Sequence, residues 1–71
     1  MFTLTRTKPD GTTHVTTHEK IRDCGMRMYF WLTDNGYMRK AEATKLAHRA
    51  ERTGTLRFHD NLWTIEKVGK A

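Results

Sequence analysis

The spacing of apolar and polar residues changes period several times along the chain, and each change marks an element. Phe2, Leu4 and Arg6 alternate with Thr3, Thr5 and Thr7, the two-residue period of a strand. Lys8-Pro9-Asp10-Gly11 supplies turn residues, and a Thr/Val/His run returns to His18, so residues 2 to 18 are expected to form a β-hairpin. A four-residue loop on residues 8 to 11 would set Leu4 opposite Val15 and Phe2 opposite Thr17. That register gathers the apolar residues on one face. It leaves Thr3, Thr5, Thr7, Thr12, His14, Thr16 and His18 on the other, wet face.

The period then becomes helical. Thr16-x-x-Glu19 has the form of a capping box and predicts a helix start at Thr16 or Thr17. Ile21, Cys24, Met28, Trp31 and Leu32 follow the i, i+3, i+7, i+10, i+11 spacing of a buried stripe up to Leu32 or Thr33, and Asp34-Asn35-Gly36 stops it. Met26, Tyr29 and Phe30 widen the apolar arc, so this helix either has neighbours on two sides or carries an exposed apolar patch. Gly25 inside it marks a close backbone approach. A second helix is expected from Lys40 to Arg52, with Ala43, Leu46, Ala47 and Ala50 buried and Gly54 as its left-handed cap. Thr55 to His59 and Leu62 to Val68 complete a second hairpin. A two-residue Asp60-Asn61 turn would pair Phe58 with Trp63 and Leu56 with Ile65 on one face.

The expected order is therefore β-β-α-α-β-β, an α+β fold in a single domain spanning residues 1–71, with residues 68–71 frayed. A chain of 71 residues removes only about 60% of its surface from water on folding, which leaves a thin core, and dimerisation would add to its margin. Both a monomer and a homodimer fit. Cys24 is the single cysteine, which excludes an intramolecular disulfide scaffold and points to a reducing compartment. No stretch approaches the roughly 18 apolar residues of a membrane span, and no secretory signal is recognisable. The expected location is cytoplasmic, with no membrane partner.

Candidate chemistry fails on spacing or supply. His14 and His18 share a strand face but stand roughly 13 Å apart at four residues' separation, too far to chelate one ion; no C-x-x-C or helical H-x-x-x-H occurs. The chain has no serine, and Cys24 belongs to the buried stripe, where a thiol behaves as a small hydrophobe. The five glycines form no phosphate-binding loop. No catalytic residue, metal or cofactor is expected, and the chain is read as a non-enzyme.

Two surfaces remain. Met26, Tyr29, Phe30 and Tyr37, set among Met28, Trp31 and Met38, are residue types that centres of protein interfaces favour. The alternative is nucleic acid. Thirteen Lys plus Arg against eight Asp plus Glu give a net charge of +5, which attracts polyanions. Arg39 precedes the second helix and Lys40, Lys45, Arg49 and Arg52 lie on it, with Lys45, Arg49 and Arg52 forming one stripe opposite its alanine face. Helix, short turn, helix and hairpin resemble the order of a winged helix, in which the second helix would enter the major groove and Arg57 or His59 on the hairpin would reach phosphate. The chain departs from that pattern in having a strand hairpin ahead of the helix pair. It also has no Ser, Gln or Asn on the second helix to read bases.

The whole chain, from its initiator Met through the threonine-rich Phe2-to-His18 hairpin to Leu62-Trp63-Thr64-Ile65, resembles the compact proteins encoded in bacteriophage genomes. The resemblance rests on style and carries over no functional residue. It implies a class: an accessory protein that binds and modulates a host protein in the bacterial cytoplasm, or a small DNA-binding regulator. Protein binding ranks ahead of nucleic-acid binding.

Overall fold

The computed structural model describes residues 1–68. The elements follow the order β1 (Phe2–Thr7), β2 (Thr13–His18), α1 (Ile21–Asp34), α2 (Lys40–Thr53), β3 (Thr55–Phe58) and β4 (Asn61–Lys67). One antiparallel sheet has strand order β2-β1-β4-β3. Two hairpins are thus zipped together through their inner strands, and both helices lie on one face of the sheet, giving an α+β architecture. Leu4, Leu56 and Trp63 from the sheet close with Cys24, Met28, Leu32, Ala43 and Ala50 from the helices.

The first hairpin differs from the expected register by one residue. Its loop runs from Lys8 to Thr12, because Lys8 N–H donates to Thr12 O (2.8 Å) and Gly11, at φ +92°, donates to Lys8 O (2.9 Å). The Asp10 carboxylate accepts from both Thr12 N–H (2.9 Å) and the Thr12 hydroxyl (2.7 Å), closing the loop one residue later than a four-residue turn would. Leu4 therefore faces Thr16, Phe2 faces His18, and Val15 faces Thr5. A slip of one residue moves a whole strand to the other face. Val15 stands on the helix-free face, 59% exposed, while His14, Thr16 and His18 turn toward the helices.

The second hairpin turns at His59-Asp60, both at positive φ (49° and 59°), the conformation of a type I′ turn, and not at Asp60-Asn61. Leu56 pairs with Trp63 and Phe58 with Asn61. Here the partner sum shifts by two, so Leu56, Phe58, Trp63 and Ile65 still share the helix-side face.

Helix α1 starts later than the capping box suggested. Residues 13–18 pair with β1 instead, the Thr16 hydroxyl meets the His18 ring (2.8 Å), and Lys20 is the N-cap without a side-chain bond. Cross-strand pairing has overridden a local cap. Cys24, Met28 and Leu32 are fully buried, while Ile21 and Trp31 are half-buried. A Cβ at Gly25 would run into the Glu51 carboxylate of α2, so the glycine does mark the helix–helix contact. Helix α2 buries Ala43, Ala47 and Ala50 and ends on Gly54 at φ +82°, with Leu46 half-buried. Val68, expected to fray, donates its N–H to Met1 O (2.9 Å); residues 69–71 lie outside the described residues.

Candidate functional site

The side chains expected to bind protein divide between two places. Met26 and Phe30, one turn apart on α1, are 46% and 49% exposed, and the Tyr29 ring meets that of Phe30 edge-on at 5.3 Å. These three form an apolar ridge on the outer side of α1. Tyr37 lies elsewhere. It stacks on His59 at 4.4 Å and 22° and packs against Trp31 and Phe58, sealing the β3–β4 turn.

The basic residues are likewise dispersed. Lys45, Arg49 and Arg52 are exposed along one face of α2 and border a shallow groove with Ile21 and His48. Arg39 caps the start of α2 and Lys40 is its first residue. Arg57 pairs with Leu62, out of phase with Leu56 and Phe58, and so projects from the helix-free face at the sheet edge; it approaches the stripe only at Arg49, across a crevice with Leu46. The β3–β4 hairpin is no free wing, since β4 is a central strand bonded to β1. The helix-turn-helix-wing order is present in the chain, with its last hairpin built into the four-stranded sheet.

A third surface escaped the sequence. Strand β2 lies at the sheet edge, and a groove of about 760 Å³ opens between α1 and the β1–β2 hairpin. Arg6, Lys8 and His14 come from the hairpin, and Arg27, Phe30 and Trp31 from α1, with Asp34 the one acid of the lining. The Arg6 guanidinium carbon lies 5.0 Å from the Trp31 ring centroid and 5.5 Å from that of Trp63, within cation–π range. Its Nε donates to Asn61 Oδ1 (3.2 Å). Trp63, only 6% exposed, also lines the groove, and its Nε1 is buried without a hydrogen-bond partner among the described residues. The clue in the sequence was parity: Arg6 shares its strand face with Phe2 and Leu4, so a cation had to meet the core side.

Among the described residues, no three His, Cys, Asp or Glu side chains come together as a metal site, and no helix is long and apolar enough to cross a membrane. Cys24 is fully buried, and burial, with Asp23 and Glu51 adding to it, pushes its thiol pKa up, away from nucleophilic use.

The fold and these surfaces define a two-layer α+β domain, a helical hairpin on one face of a four-stranded antiparallel sheet. No protein family, curated protein or solved structure matches the chain.

Proposed function

We propose that the chain is a non-enzymatic binding protein that engages a protein partner through the outer side of α1, as a bacteriophage-type accessory protein acting on a host protein in the bacterial cytoplasm. The observation that carries this reading is the Met26–Phe30 ridge, with the two side chains 46% and 49% exposed one turn apart. The core needs neither, since Cys24, Met28 and Leu32 on the opposite side of α1 are fully buried. Exposed Met and aromatic side chains grouped on a rigid helix are what interface centres use. Tyr29 extends the ridge across the interhelical groove, where it meets Gly25, Ala47 and His48.

The test compares wild type with Met26→Ser/Phe30→Ser, both immobilised and exposed to bacterial lysate with and without nuclease. A partner retained by the wild type and lost by the double variant, at unchanged thermal stability, is the expected result. Equal retention by both proteins, or loss of the partner on nuclease treatment, would remove the ridge as the binding surface.

A further inference from the structure

We infer that the groove between α1 and the β1–β2 hairpin is a binding site for the phosphate backbone of single-stranded nucleic acid, on a face distinct from the α2 stripe. This goes beyond the protein-binding reading, which uses the outer ridge. Three strong cations, Arg6, Lys8 and Arg27, with His14, border the groove against the single acid Asp34. Arg6 is the anchor. Its guanidinium is held against Trp31 and Trp63 and tethered through Nε to Asn61, and its terminal nitrogens make no hydrogen bond among the described residues. A planar fork fixed in this way takes a phosphate with little further ordering.

The hydrogen-bonding inventory separates nucleic acid from an acidic peptide. The charged groups of the lining are mostly donors, with Arg6, Lys8 and Arg27 set against the carboxylate of Asp34. The side-chain acceptors are the Asp34 carboxylate and the Asn35 amide oxygen, while the Thr16 hydroxyl already meets His18. A peptide backbone brings as many N–H donors as carbonyls and would leave donors unpaired, whereas a phosphodiester chain only accepts. Phe30, 49% exposed on the same wall, presents a ring for a base. A cationic groove edged by an exposed aromatic ring is the arrangement by which single strands are held without sequence readout. The same phosphate-plus-base chemistry is borne by a free nucleotide, which the experiment distinguishes.

Trp31 and Trp63 are the chain's two tryptophans and both line the groove, so intrinsic fluorescence reports occupancy directly. The titrants are an eight-nucleotide thymidine strand, thymidine monophosphate, and a polyglutamate peptide of equal charge. Expected is a saturable fluorescence change with the strand. Three phosphate contacts give a salt slope near −2, so affinity weakens about 20-fold between 50 and 200 mM salt. Lys8→Gln/Arg27→Gln, which leaves Arg6 and the core in place, is expected to lose at least about tenfold at 50 mM and to cut the slope to roughly −0.7. Lys45→Ala/Arg49→Ala/Arg52→Ala is expected to bind as wild type. Monophosphate binding equal to the strand would support the site and assign it to free nucleotides. No fluorescence change at 50 mM salt, equal binding of polyglutamate, or loss in the α2 variant with retention in Lys8→Gln/Arg27→Gln would each overturn the inference. Phe30 belongs to both surfaces, but Lys8 and Arg27 line only the groove and Met26 only the ridge, so the failure of this site and of the ridge remain separable.

Discussion

Arg6 of β1 donates its Nε–H to Oδ1 of Asn61, the first residue of β4 and 55 positions away in the chain, at 3.2 Å. Asn61 is 6% exposed and returns a hydrogen bond to His59 O (3.0 Å). The pair therefore joins the inner strand of one hairpin to the turn of the other, and it holds the guanidinium within cation–π range of two indoles.

Removing that side chain is expected to destabilise the domain as well as empty the groove. Arg6→Ala loses two cation–π contacts and leaves a buried acceptor on Asn61, together about 2–3 kcal/mol. Arg6→Met keeps the apolar stem over the rings and should lose about half as much. Urea denaturation of both variants and of Asn61→Ala, closed as a double-mutant cycle, should give a coupling of at least about 1 kcal/mol. Additive effects would show that the pair does not act as a unit.

The register of the first hairpin predicts opposite fates for two residues that the four-residue loop would have placed face to face. Leu4 is 2% exposed and Val15 59%. Leu4→Ala should cost about 2–4 kcal/mol, by lost transfer and a cavity. Val15→Thr should stay within about 0.5 kcal/mol of wild type. Thermal melts decide the matter: a large loss at Val15 would restore the register in which it packs beside Leu4.

Cys24 makes the fold sensitive to alkali. Its thiol pKa is raised chiefly by burial, so the folded state keeps a proton that the unfolded chain releases above about pH 8.5. The unfolded state then binds fewer protons, and stability is full below that pH and falls as pH rises through the window toward the folded pKa. Cys24→Ala, although less stable at neutral pH, should show a flatter stability profile between pH 8 and 9.5. In the wild type the thiol should react with a disulfide reagent only as fast as the domain opens. Rapid native-state labelling would contradict its burial.

The parts of the fold legible in the sequence are those set by local pattern. Helix α2 was readable because its alanine face and Gly54 agree, and the faces of the second hairpin survived a misplaced turn because a shift of two in partner sum conserves parity. The first hairpin departs from the pattern because one extra loop residue reverses parity, and that residue is held by the Asp10 carboxylate, not by hydrophobic pattern. The start of α1 departs from the capping motif because Thr16 to His18 pair with β1, which a local motif does not reveal. For the surfaces, the apolar excess of α1 was readable at Met26 and Phe30, while Tyr37 was drawn away by His59, whose position depends on the turn. The groove was not legible. Arg6, Arg27 and Trp63 belong to three elements, and only the pairing of β1 with β4 brings them together.

That pairing also governs how the domain is made. The strand formed first, β1, has as its inner neighbour the strand formed last, β4, joined from Phe2–Lys67 to Thr7–Leu62. A nascent chain ending before residue 61 holds one hairpin and two helices with no second sheet half to close upon, and the Arg6 fork without the Trp63 indole. Closure of the sheet therefore waits on β4, whose long-range pairing with β1 completes both the sheet and the groove.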